Sequence, residues 1–291
     1  MHRGMRIVQL SDHPGAMLKE AQQNRAAGSD RERLRFETAL AEHRERVARA
    51  ERARDHARAR RRWWTWLRGV LAVRRERRLA PAPPRSSRAP SDTEGILTAG
   101  VEGERLAAIG LGRSLADEWT LLRGYRNNRG EIDHLLLGPR GLFAIEGKHR
   151  NATVYCAGDR WWYVKYDRYG NPVERGEMAD RRGRSPSQQL NEPADQLEGF
   201  LRSRGHPVAV ERIVLLTHAR SRLGHSAEPT VRVTTSTAQV LKLIDASRAV
   251  IGDDERARLE RLIIRDHQHY ESRRTQHRAR NARRPARPPG G

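Results

Sequence analysis

Cysteine, lysine and long apolar runs are scarce in this sequence of 291 residues. A single cysteine, Cys156, excludes an intramolecular disulfide and suits a reducing, cytoplasmic compartment. Aromatics make up only 5% of the chain against 32% charged residues, so no packed core can run its full length. The opening Met-His-Arg-Gly-Met-Arg leads into no apolar signal region, and secretion is not expected. No stretch approaches the ~20 apolar residues that a bilayer span needs. No phosphate-binding glycine loop is present, which argues against a nucleotide cofactor or an ATP-driven motor. Lysine is the least expected absence: only Lys19, Lys148, Lys165 and Lys242 occur among 57 basic residues. Arginine is the default cation here, so each lysine calls for a reason.

What is present is positive charge, +21 overall, and it is unevenly spread. Residues 1–90 hold 23 basic and 10 acidic residues, residues 91–250 hold 23 and 20, and residues 251–291 hold 11 and 6. The excess points to nucleic acid as partner, with compositional bias toward arginine as a competing cause. Residues 1–79 read as a basic helical region. Its stretch 15–62 mixes Arg, Glu and Ala with too few apolar residues (Leu34, Phe36, Leu40, Val47) for a packed seam, which predicts a solvated helix. Trp63, Trp64, Trp66, Leu67, Val70, Leu71 and Val73 follow, flanked by arginines. Two readings compete for residues 15–78: an interfacial anchor on an anionic membrane inner face, and a docked amphipathic helix or protein-partner site. The segment 80–97 reads as a Pro-rich linker, 251–271 as a helix and 272–291 as a disordered basic tail.

Between the flanks, helical periodicity over 101–116 is followed by strand signals at 119–125, 131–137, 141–148, 152–156 and 160–166. A helix at 186–204, strands at 211–218 and 230–234, and a helix at 236–246 complete the domain, placed at 98–250. This order predicts an α/β fold, a mixed β-sheet flanked by helices.

Within it, Gly138-Pro139-Arg140-Gly141 is turn chemistry between two apolar runs. With Pro139 and Arg140 at the tip, Asp133 faces Glu146 and Glu131 faces Lys148. Leu135, Leu137, Leu142 and Ala144 share that face, and Ile132, His134, Leu136, Phe143 and Ile145 take the other. Both faces are largely apolar, so the hairpin is central. Opposed carboxylates are destabilising unless one keeps a proton or a cation sits between them. A shifted register or a plain ion network is the bland alternative.

Three observations weigh against it. Lys148 follows Glu146 on the same face, where an arginine would have served a structural ion pair; lysine supplies a compact point charge. Glu104 falls in the stripe Val101, Glu104, Ala108, Leu111, Leu115 and so points at the sheet, although a first-turn Glu favoured by the helix dipole is the alternative. Carboxylates and a lysine gathered around a hard cation match the needs of phosphodiester hydrolysis.

These residues resemble a known family. Gly103-Glu104 in a helix, Gly130-Glu131-Ile132-Asp133-His134, Ile145-Glu146-Gly147-Lys148 and Pro186-Ser187-Gln188-Gln189, in that order, resemble the nuclease-related domain (NERD) of the PD-(D/E)XK nuclease-like superfamily. The resemblance spans about residues 98–245. It implies a restriction-endonuclease-like core and a Mg²⁺-dependent centre, with Mn²⁺ as substitute, acting on DNA. Asp133 and Glu146 would ligate the metal, Glu104 would complete the shell, Lys148 would orient the water, and Gln189 would face the site. Two departures stand out: Gly147, where an apolar residue is commoner, and Pro193, which predicts a kink after Gln189 or a fresh helix start with Gln196 inward. Ser185 to Gln188 reads as a capping box, which leaves Gln189 free.

Other candidates are weaker. Trp161 and Trp162 predict one core and one surface residue rather than a base-stacking platform. His134 and His149 fall on the face away from Asp133, and His267 and His269 lack metal-ligand spacing. The rival from another class is a NERD-fold binding or scaffold protein without catalysis, engaging nucleic acid, membrane or a partner through its basic flanks.

Overall fold

The computed structural model describes residues 4–84 and 91–282. The chain divides into two compact units: Met1–Ala16 with Ile96–Gly291, and Met17–Gly95.

The first unit holds two sheets where one was expected. Its elements are β1 (Arg6–Gln9), α3 (Asp92–Gly112, from Ile96 on), β2 (Thr120–Arg126), β3 (Glu131–Gly138), β4 (Gly141–Lys148), β5 (Thr153–Ala157), β6 (Arg160–Tyr166), β7 (Pro172–Glu177), α4 (Pro186–Ser203), β8 (Val210–Leu216), β9 (Arg222–Ala227), β10 (Arg232–Thr234), α5 (Thr237–Ala246) and α6 (Asp253–Ala282). Six strands form a sheet in the order β1-β2-β3-β4-β8-β10, and four form a second in the order β7-β6-β5-β9. In the larger sheet β2, β3 and β4 are antiparallel neighbours, while β1 joins β2, β8 joins β4 and β10 joins β8 in parallel. The mixed α/β architecture agrees with the sequence reading.

Helices cover both faces of the larger sheet, which explains why β3, β4 and β8 are almost continuously apolar. One core gathers Leu135, Leu137, Leu142, Ala144 and Val214 with Leu190, Leu197 and Leu201 of α4 and Leu259 and Ile263 of α6. The other gathers Leu136, Phe143, Ile145 and Ile213 with Ala107, Ala108 and Leu111 of α3 and Val240 and Ile244 of α5. Trp161 is buried and donates from Nε1 to Ser187 Oγ at 3.1 Å, while Trp162 stacks on Tyr155 at the smaller sheet's surface, as the one-in, one-out reading required.

Several boundaries differ from the sequence reading. Strands β1, β7 and β9 were not anticipated; they are short, with few apolar residues, and carry no alternating signal. β1 takes residues 6–9 out of the basic helical region and into the sheet. α3 starts at Asp92 inside the expected linker, whose residues 85–90 lie outside the described residues, and α6 continues through the first part of the expected tail to Ala282. The rest of that tail, 283–291, also lies outside them. α4 runs unbroken across Pro193, so the predicted restart does not occur. The Pro193 carbonyl also accepts from Asn127 Nδ2 at 2.9 Å, a lateral tie between α4 and the turn after β2.

The second unit is a helical hairpin. Most of α1 (His13–Ala59) belongs to it, and α2 (Trp63–Arg78) folds back along α1 after a turn in which Arg61 has φ 50°. Gly69 makes this approach possible, since a Cβ there would sit 2.9 Å from Arg54 Cα. Val73 is buried on the same side, and Arg77–Glu51 at 2.6 Å and Arg46–Glu76 at 3.5 Å join the helices.

Candidate active site

The site lies where β3 and β4 emerge from under α3. The hairpin register is the one its turn demanded: Gly138 pairs with Gly141, Leu137 with Leu142 and His134 with Ile145. Beyond His134 the backbone ladder gives way to a side-chain bridge in which Gly147 N–H donates to Asp133 Oδ2 at 2.9 Å. β4 meanwhile continues its pairing with β8 as far as Lys148 and Leu216. The strand is therefore not loosened at Gly147.

Glu131 departs from its expected place opposite Lys148. It pairs with Arg126 and accepts from Ser11 Oγ at 3.2 Å, because the β3–β4 ladder ends before reaching it. Ile132 also departs, packing in the α4-side core. Opposite Asp133, in β2, stands Gly124 with φ 70°. A Cβ there would meet the Ser11 carbonyl oxygen at 2.4 Å, so only glycine lets the segment after β1 close over this end of the sheet.

Lys148 ties the remaining groups together. Its Nζ donates to Glu146 Oε1 at 2.7 Å and to Gln189 Oε1 at 3.0 Å. The Gln189 amide is oriented by donation from Nε2 to the Arg184 carbonyl at 2.7 Å, and Arg184 is itself held by Asp180 and Glu192. Gln189, rather than Gln196, is thus the glutamine that reaches Lys148. Gln188 is spent in the capping box with Ser185, as its spacing implied.

Glu104 arrives from α3. Gly103 makes the close approach possible, because a Cβ there would lie 2.8 Å from Thr217 Oγ1 and 2.9 Å from His149 Cβ. The Glu104 carboxylate is 3.4 Å from Arg123 Nη2, and its backbone carbonyl accepts from His134 Nε2 at 3.1 Å. A carbonyl only accepts, so His134 carries its proton on Nε2, and its Nδ1 is buried without a partner. Burial first, then Arg123, push the His134 pKa down to about 4, so the ring is neutral.

The electrostatics single out these groups. Burial, reinforced by Glu131 and Glu146 against the opposing Arg123, pushes Glu104 up to about 7. Asp133 is held well above the ordinary carboxylate range by burial and by its neighbours Glu146 and Glu104. Burial opposes the charge on Lys148, but Glu146 and Asp133 outweigh it and hold its pKa above the usual value. Like charges have been gathered here rather than dispersed.

The sequence reading brought Glu104, Asp133, Glu146, Lys148 and Gln189 together, and each lies in this region. It missed Arg123 and the Gly147 N–H, and assigned His134 no contact with α3. Arg123, a lone cation inside the apolar run Leu121-Leu122-Arg123, was the available signal. Among the described residues, no three His, Cys, Asp or Glu side chains are grouped closely enough to hold a metal ion. Each carboxylate has another partner: Glu104 has Arg123, Asp133 has Gly147 and Glu146 has Lys148. The donors available are nonetheless all carboxylate oxygens, the chemistry that suits a hard divalent cation, and their mutual repulsion is what such a cation would relieve.

Residues 99–217 match the nuclease-related domain. The match covers less than half of the chain, and over that span the chain is similar to this family. The family's name agrees with placement in the PD-(D/E)XK superfamily, and the matched span runs from α3 through β8 with all five residues of the site inside it. No curated protein and no solved structure matches the chain. Outside the matched residues, the same unit holds β1, β9, β10, α5 and α6.

Proposed function

We propose that this nuclease-related domain hydrolyses phosphodiester bonds of DNA with Mg²⁺, or Mn²⁺ in its place. The observation that carries the reading is Lys148, whose Nζ bridges Glu146 and Gln189 beside the elevated Asp133 and Glu104. Asp133, Glu146 and Glu104 would hold the metal, which when bound supplies Lewis acidity and a water of lowered pKa. Lys148 keeps its proton and sets a fixed positive charge where negative charge develops on the phosphate. Gln189 limits where that ammonium can point. Arg123 draws the Glu104 carboxyl toward its ionised form, in which it is an oxygen ligand.

The test is cleavage of linear, nicked and supercoiled DNA by the full chain with Mg²⁺ or Mn²⁺, compared with Glu146→Ala. Loss of cleavage in the variant supports the assignment, and persistence sinks it. A second reading has its own observation: the ion pair between Lys148 and Glu146 and the lack of a ready three-carboxylate group among the described residues suit a binding or scaffold role without catalysis. Titration calorimetry separates the two, since Mg²⁺ heat that disappears in Asp133→Asn favours the nuclease, and no heat together with no cleavage favours the scaffold.

A further inference from the structure

Nothing at the Lys148 site explains the surface of α2. Trp63, Leu67 and Leu71 recur at every fourth residue, which in a helix places them along one side, and Trp64 lies beside them. That side faces away from α1, as Gly69 and Val73 occupy the packed side. Trp63 is 69% exposed, Trp64 82% and Leu71 65%. Single exposed apolar residues are ordinary, but four large ones on two turns of one helix are not. From Arg58 to Arg78 the chain holds nine arginines and one acidic residue, Glu76. Arg68, Arg74, Arg75 and Arg78 are exposed, and among the described residues none of these four makes a salt bridge.

We infer that α2 is an interfacial docking helix that lies on an anionic lipid surface. The tryptophans and leucines would sit at the boundary between headgroups and acyl chains, and the arginines on lipid phosphates. The helix is 16 residues long, and no described helix is long and apolar enough to cross a bilayer, so it lies on the membrane rather than spanning it. Charge alone would serve a nucleic acid equally well. Leu67 and Leu71 decide between them, since aliphatic side chains have no counterpart on a phosphate backbone and a natural one among acyl chains. Self-association is disfavoured by size: the stripe runs only ~12 Å along the helix, against the ~800 Å² per partner of a stable interface. Indoles at the start of the helix and arginines at its end give a surface-lying helix polar anchors at both ends.

The experiment uses the full chain and vesicles of phosphatidylcholine, alone or with phosphatidylglycerol. Co-sedimentation with the anionic vesicles only, accompanied by a blue shift of tryptophan emission, is expected. Joint replacement of Trp63, Trp64, Leu67 and Leu71 by serine should weaken partitioning by about 100-fold or more. Replacing Arg74, Arg75 and Arg78 by glutamine should weaken it by about fivefold per arginine at low salt. All seven side chains are exposed, and an unchanged circular dichroism spectrum verifies that the hairpin survives. Absence of sedimentation with anionic vesicles, or equal sedimentation by the serine variant, overturns the proposal. So does a blue shift that appears with duplex DNA, or on concentrating the protein, and is lost in the same variant. Cleavage of free DNA by the serine variant should equal that of the parent, which separates this helix from the fate of the nuclease reading.

Discussion

Two clusters of buried polar groups in the first unit make an instructive pair. In one, α6 is fastened to β2 by complementary partners: Tyr125 Oη donates to Asp266 Oδ2 at 2.5 Å, and Asn127 Nδ2 to Tyr125 Oη at 3.4 Å. Arg126 N–H donates to His267 Nδ1 at 3.1 Å, and His267 Nε2–H to the Leu10 carbonyl at 3.2 Å. In the other, Glu146 raises the pKa of both Glu104 and Asp133, and Glu104 that of Asp133, with Lys148 on Glu146 and Arg123 beside Glu104 as the opposing cations. The first cluster matches each donor to an acceptor and does what a joint must do. The second keeps like charges together, which folding alone would select against and which the proposed metal would relieve.

One group of each cluster responds to pH, Glu104 and His267 in opposite directions. Glu104 has its folded pKa raised to about 7, so the stability it contributes is present at acid pH and is lost as pH climbs from 4.5 through 7. His267 is pushed down by burial, so its contribution is present above 6.5 and is lost as pH falls.

The strongest way to test the contrast is Lys148→Met, which should lower cleavage by on the order of 10²–10³-fold while the circular dichroism spectrum stays native. Wild-type rates in that variant would break it. Next is Glu104→Gln in metal-free buffer. Its melting advantage over the parent should grow as pH rises from 5 to 8, reaching about 3 kcal/mol; a gap that shrinks would reverse the assignment of Glu104 to the strained cluster. Tyr125→Phe should have the contrary signature. It leaves Asp266 buried without its donor and costs roughly 1–3 kcal/mol, seen as a lower denaturant midpoint, with cleavage per folded molecule unchanged. The smallest effect is expected of Gly147→Ala. Its Cβ would meet Asp133 Oδ2 at 3.8 Å and Glu104 N at 3.9 Å, ordinary contacts, so melting should move by less than about 0.5 kcal/mol.

Much of this was legible because turn and period act locally. Gly138-Pro139-Arg140-Gly141 set the hairpin register, and with it the meeting of Asp133 and Glu146 at one end. The helical period brought Glu104 to the sheet, and the Ser185 capping box correctly released Gln189. What failed was information carried by distant partners. Glu131 was assigned to Lys148 because nothing near it in sequence announces Arg126 and Ser11. Pro193 looked like a break because the core that buries Leu190, Ala194 and Leu197 on either side of it is supplied by strands elsewhere in the chain. β1, with four residues, has too little pattern to declare itself.

That short strand also imposes a schedule. Arg6 is paired with Thr120, 114 residues later, in a parallel arrangement that no hairpin can nucleate. During synthesis at ~5–20 residues per second, β1 therefore waits roughly 6–20 s for its neighbour to exist. In that interval the intervening α1 and α2 can form from local contacts alone. The helical hairpin is then complete before the larger sheet can close, and the exposed tryptophans and leucines of α2 are displayed by a chain whose α/β unit has yet to fold.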